Sequence, residues 1–148
     1  MYISHADVLT ELMDSANRLA TTASGSTHSD EGWTPTMILG HVSDVDEQVW
    51  LARIRLMVDA FHNSLPVPSL MWWEPNAHAT ELKYQDYTVE KVIARLYSSR
   101  AAIIETLSGL SEEEWGASAL HDTFVTLSVV LLPEKILLHD EEHLESLQ

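Results

Sequence analysis

The sequence predicts an all-α domain, a four-helix bundle spanning residues 1–148. Three observations predict it. Apolar residues recur at three- and four-residue spacings through four long segments. Each segment opens at a residue able to cap a helix or beside a Pro. The connection at 62–87 is long enough to recross a helix, which would leave helices two and three parallel. At 148 residues the chain suits one domain able to bury a substantial core.

Helix one is expected over roughly 4–21, with Ser4 as N-cap and Val8, Leu9, Leu12, Met13, Ala16, Leu19 and Ala20 on its stripe. The run "TTASGSTHSDEG" then breaks the pattern with Gly, Ser and Asp, as a loop does. Helix two begins sharply. Thr34 caps it, and Pro35 fits the first helical position, where its missing N–H costs nothing. Its stripe is Ile38, His41, Val42, Val45, Val49, Ala52 and Leu56, which carries it to about Phe61. Such a helix measures about 40 Å, a length that about 12 extended residues recross.

The connection, "HNSLPVPSLMWWEPNAHATELKYQDY", holds three prolines and no sustained period. Loops this long in compact domains are often functional. Helix three is expected over about 89–110, capped by Thr88, with Val89, Val92, Ile93, Leu96, Arg100, Ile103, Leu107 and Leu110 on its seam. Ser111 and Glu114 form a capping box that opens a short turn through Trp115. The last helix has two possible starts. Ser128 caps it and Pro133 kinks it, or the regular helix begins at Pro133.

Composition narrows the function. The net charge of −15, from 8 basic and 23 acidic residues without a local basic cluster, repels a phosphate backbone, so nucleic acid is not an expected partner. No apolar run reaches the roughly 20 residues of a spanning helix, and "MYISHADVLTELMD" is acidic where a signal peptide is basic. The expectation is a cytoplasmic protein that does not engage a membrane. There is no Cys, which leaves His, Asp and Glu as metal ligands and no protein thiol as nucleophile.

His139 and His143 stand four apart in "ILLHDEEHLESLQ" and share one helix face. Two imidazoles hold a metal weakly, so a third ligand is needed. His41, the one histidine on the apolar stripe of helix two, is the candidate. Three His ligands leave a position open for water or substrate. As alternatives, the pair are surface histidines and His41 is a hydrogen-bonded core residue. "HDEEH" also fits the H-x-x-E-H of inverted zinc peptidases, with Glu142 as base, and nearly fits H-E-x-x-H, with Asp140 in place of Glu. Only five residues follow His143, which counts against a downstream ligand.

Arg100, on the seam of helix three, is either an anchor for an anionic substrate or a structural ion pair with Asp44, Asp46 or Glu47. Asp44, one turn beyond His41, either orients an imidazole or a bound water or is a solvated carboxylate. Trp72, Trp73 and His78 in the connection are candidate pocket walls, with core filling as the alternative. Trp33 and Trp115 are assigned to packing, and His121 is a candidate to approach the metal.

Taken together, "GWTPTMILGHVSDVDEQVWLARI", "VIARLYSSRAAIIETLSGLSEEEW" and "LLHDEEHLESLQ" resemble the landmarks of the DinB-like superfamily of four-helix-bundle proteins, over nearly the whole chain. The Trp-x-Pro opening of helix two with a His downstream and the terminal His-x-x-x-His are its most specific parts. The resemblance implies a metal triad at His41, His139 and His143, parallel helices two and three, and a homodimer. It also implies a divalent ion, zinc or nickel ahead of iron or manganese. Characterised relatives include thiol-dependent S-transferases and isomerases, so the implied partners are a small electrophile and a low-molecular-weight thiol. The chain departs from the family pattern before helix four, where a common glycine is missing and Pro133 is unusual. The expected chemistry is a water or thiol whose pKa falls on coordination and which then attacks the electrophile, as transferase or hydrolase. A binding or stress-response bundle without catalysis is the alternative.

Overall fold

The computed structural model describes residues 4–26, 32–122 and 125–148. It is mostly helical. Helix α1 spans His5–Gly25, and the Ser4 hydroxyl accepts the Asp7 N–H at 3.1 Å. It outruns its expected end because Ala23 continues the buried stripe. The rest of the expected loop, 27–31, lies outside the described residues. Helix α2, Pro35–Val45, starts at the Thr34 cap. It runs through a π-helical turn, Asp46–Leu51, into α3, Ala52–His62. The three stretches form one rod, and helical backbone angles persist across both junctions. Helix α5 spans Val89–Ser108 behind the Thr88 cap, and α6, Glu112–Trp115, carries both bonds of the Ser111–Glu114 capping box. Helix α7 spans Leu132–Leu147.

Three features correct the sequence reading. Helix two is interrupted by the π turn. The 62–87 connection contains strand β1, Ser69–Leu70, and helix α4, Ala77–Tyr84. An all-α description omits a small sheet, in which β1 runs parallel to β2, Ser118–His121, and β2 antiparallel to β3, Val125–Ser128. Ala119 and Leu127 face each other in register and are both fully buried. Of the two starts considered for the last helix, Ser128 ends β3. A 3-10 turn, Val129–Leu131, follows, and Pro133 sits in the first turn of α7, where no N–H is needed.

Helix α1 packs on α5 and α7, and α2 packs on α5. The core falls into two apolar clusters. One gathers Leu12, Ile54, Met57, Ile103, Leu127 and Ile136 near the sheet. The other gathers Leu19, Ile38, Leu39, Val42, Leu96 and Leu147. A polar layer centred on Arg100 lies between them along α5. Among the described residues, no helix is long and apolar enough to cross a membrane.

Helix α4 is fastened to α2 by one close approach. Tyr84 is fully buried against Gly40, and its hydroxyl donates to Asp44 at 2.7 Å. A Cβ on Gly40 would fall well inside van der Waals contact with three ring carbons of Tyr84, so that the ring or the helix would have to shift. Gly→Ala in a helix ordinarily stabilises by about 1 kcal/mol. Here Gly40→Ala is expected to lower stability by about 1–3 kcal/mol through overpacking, read from the urea midpoint. A midpoint at or above wild type would contradict this packing.

Candidate metal centre

His41 lies two turns into α2, on the side turned toward α7, and is only 6% exposed. The edge of Trp33 meets its ring, at 5.5 Å between centroids. On α7, His139 and His143 occupy one face and are partly buried. One ring nitrogen from each of the three histidines falls within 4.8 Å of the others. The Nε2 atoms of His139 and His143 are 3.1 Å apart. Two imidazole nitrogens on a tetrahedral zinc stand roughly 3.3 Å apart, given bonds of about 2.0–2.1 Å. The donor set therefore suits a divalent ion.

The electrostatics suit it too. Burial, followed by the nearby His143, pushes His41 down to about 4, against the pull of Asp44. Burial, then His143, His41 and Arg100, push His139 down to about 3. Both rings are thus neutral at pH 7, with a lone pair available for coordination.

The triad opens onto a cavity of about 460 Å³, walled by Val45, Val49, Trp50, Trp72, Trp73 and Leu138, with Arg53, Lys135, Glu74 and Glu142 among its polar lining. Trp73 lies over His41 at 6.5 Å, and the edge of Trp50 meets His139 at 6.3 Å. The Trp72–Trp73 wall belongs to the long connection and is held from three sides. The Leu120 and Asp122 N–H groups donate to the Pro68 and Leu70 carbonyls at 2.8 and 3.2 Å. The Trp72 N–H donates to the Asp122 carboxylate at 3.0 and 3.1 Å, and Arg53 Nη2 donates to the Met71 carbonyl at 2.7 Å. The Trp72 indole N–H donates to Glu74.

The π turn shapes the opposite wall. Positions four apart on an α-helix drift by about 40° at each step. The wider turn, closing i→i+5, takes back part of that drift. His41, Val45, Val49 and Arg53 can therefore line one cavity along the rod.

The other candidate residues lie elsewhere. Arg100 is fully buried and does not line the cavity; it pairs with Asp46 at 3.1 Å and Asp140 at 2.7 Å. Burial raises Asp46 to about 6 despite the pull of Arg100. Asp44 is not solvated. Its Oδ1 accepts from Tyr84, Lys83 and Arg95 at 2.7, 3.0 and 3.2 Å, and it acts on His41 by charge. His121 is buried in β2 beside Asp122, outside the triad. His78 is exposed near Glu81. Trp115 packs in the core under a stacked His5, whereas Trp33 both packs and touches His41. Sequence reasoning missed Trp50 as a cavity wall and Asp140 as the partner of Arg100. The available signal for Asp140 was its place beside His139, on the side of the helix facing α1.

The sequence profile of the DinB superfamily matches residues 5–147. The fold is similar to a crystal structure of a mutant mycothiol-dependent maleylpyruvate isomerase, with TM-score 0.69 and 13% sequence identity. The match covers 98% of this chain and 61% of that one, so this chain spans about three-fifths of the isomerase's length. No curated protein matches the chain significantly in sequence.

The lowered histidines set a pH dependence for the metal-free protein. Unfolded, His41 and His139 take up protons near 6.5; folded, only near 4 and 3. Their contribution is full above pH 6.5 and is lost as pH falls from there through 4 and 3. Asp46 opposes them, because its carboxyl takes a proton near 6 when folded and 3.8 when unfolded, which adds stability on acidification. Two rings outweigh one carboxyl. The urea midpoint is expected to rise from pH 5 to pH 7, and a His41→Phe/His139→Phe double variant is expected to flatten or invert that slope. A wild-type midpoint independent of pH would contradict neutral buried rings.

Proposed function

The chain belongs to the DinB superfamily, and on that footing we propose that it is a metalloenzyme joining a low-molecular-weight thiol, or water, to a small electrophile. The observation that carries the proposal is the convergence of three imidazole nitrogens within 4.8 Å on the wall of an apolar cavity. His41, His139 and His143 would hold one divalent ion. The chemistry such an ion supplies is a lower pKa for a coordinated thiol or water, which yields a nucleophile at neutral pH.

The chain's own groups take the remaining roles. The three tryptophans of the wall keep bulk water from the reacting atoms. Glu142, exposed on the same cavity wall, is the carboxylate placed to take the proton that the nucleophile gives up. With no Cys in the sequence, any sulfur nucleophile comes from a cosubstrate. The thiol reading draws support from the mycothiol dependence of the structurally similar isomerase. The same reading takes the fold as a four-helix bundle in which 62–87 crosses over between the rod and α5, and takes the protein as a homodimer. Exposed Phe61, Leu65 and Val67 at the end of the rod support the dimer.

Two measurements test the proposal. Elemental analysis of protein saturated with zinc and then desalted is expected to give one ion per chain, falling at least tenfold in His41→Ala and in His143→Ala. Equal metal in the variants would sink the triad. A panel of low-molecular-weight thiols with small electrophiles is expected to give turnover that stops on chelation. Turnover with water alone assigns a hydrolase, and none at all with metal bound assigns a binding module.

A further inference from the structure

The indole of Trp50 is a donor that no protein acceptor meets. The residue stands in the π turn of the rod, packs on the core near the sheet and also lines the cavity. Its Nε1 is buried and has no hydrogen-bond partner. An indole nitrogen can only donate, and a buried donor left unmade is costly. Two other tryptophans are served, Trp33 by Glu81 at 3.0 Å and Trp72 by Glu74. Buried polar groups are nearly always paired, and an exception calls for a functional or a bound partner. The core behind Trp50 is apolar, which offers an isolated water too few polar contacts to hold it. The acceptor therefore has to come from the cavity side.

The rest of the cavity is suited to an apolar body. Trp72, Trp73 and Leu138 share it with Val45 and Val49, and both Trp72 and Leu138 are more than half exposed. Large apolar side chains left open around a pocket mark a surface for an apolar ligand. Indole walls favour flat rings, which stack on them. At about 460 Å³ the cavity has the size of a small-molecule site. The edge of Trp50 meets His139 at 6.3 Å, so an atom held by the indole lies near the histidine cluster. A π turn inside an α-helix is itself a frequent mark of a functional site.

We propose that Trp50 is the orienting donor for the electrophile: the cavity takes a flat, uncharged, apolar molecule with one carbonyl-type oxygen, and the Trp50 indole N–H donates to that oxygen. This names a substrate class for the reading above and rests on that reading only for the reaction that follows.

Acetophenone and α-methylstyrene provide the test, because they carry C=O or C=CH2 on the same flat frame. Their binding to metal-free full-length protein is followed by the proton–nitrogen NMR signals of the five tryptophan indoles. The Trp50 signal is assigned by its loss in Trp50→Phe. Without metal, no ion can take the carbonyl oxygen, and the indole is the group under test. Acetophenone is expected to move the Trp50 N–H signal downfield at saturation, and α-methylstyrene to leave it nearly in place. In Trp50→Phe the ratio of the two affinities is expected to shift about fivefold toward the alkene. The greater hydrophobicity of the alkene cancels in that comparison. Equal movement of the signal with both molecules would overturn the proposal. So would an affinity ratio unchanged in Trp50→Phe, or the failure of both molecules to bind at millimolar concentration. If Trp50→Phe does not fold, the signal is assigned by its through-space coupling to His139, and the ketone–alkene difference in wild type decides. No metal enters this test, so the metal site and the indole site fail separately.

Discussion

Arg100 is fully buried, and all five N–H groups of its guanidinium are taken. Nε and Nη2 reach the two oxygens of Asp46 at 3.1 and 3.2 Å. Nη1 and Nη2 reach Asp140 at 2.7 and 2.9 Å, and Nη1 also reaches the Leu12 carbonyl at 3.0 Å. Ser15 and Ser99 donate to Asp140 and Asp46 at 2.6 and 3.1 Å. One side chain thus ties α1, the π turn, α5 and α7 together. A buried ion pair adds little net stability over apolar packing, yet losing one partner costs about 3–5 kcal/mol. Its value lies in specifying an arrangement. Any rotation of α7 that removed Asp140 from Arg100 would strand two charges.

That constraint sets the geometry of the histidines. His139 is the neighbour of Asp140, about 100° around the helix, so fixing the carboxylate toward Arg100 fixes the imidazole toward the cavity. Asp46 does the same for the rod, five residues beyond His41. The guanidinium charge also adds to the lowered pKa of His139. The histidines are positioned by one network, while the cavity wall is positioned by another set of bonds, those that hold Trp72 and Trp73 through β1, Asp122 and Arg53.

Much of this was legible in the sequence, and the rest was hidden for physical reasons. The caps at Ser4, Thr34, Thr88 and Ser111 could be read because capping is local, fixed by a side chain and an N–H three residues on. The pairing of His139 with His143 could be read for the same reason. His41 was recognisable as a polar residue on an apolar stripe, and the need for a third ligand made it the candidate to join the terminal pair; no local rule links the two, and the family resemblance implied the same triad. The π turn was invisible, because one extra residue in a turn barely disturbs a stripe such as Val42–Val45–Val49. Helix α4 buries only Thr80 and Tyr84 and so has almost no amphipathic signal. Strand β1 is two residues long, and its partner lies some fifty residues away. The two aspartates on Arg100 come from different helices, and Asp140 was noticed only for its place in a peptidase-like motif.

The most direct measurement is a competitive zinc titration of Arg100→Lys, with helicity checked by circular dichroism. Lysine keeps the charge but cannot fork between Asp46 and Asp140. If the guanidinium network sets the histidines, the variant folds and binds zinc at least about tenfold more weakly than wild type. A folded variant with wild-type zinc affinity, or a wild type that binds no zinc, would contradict the account.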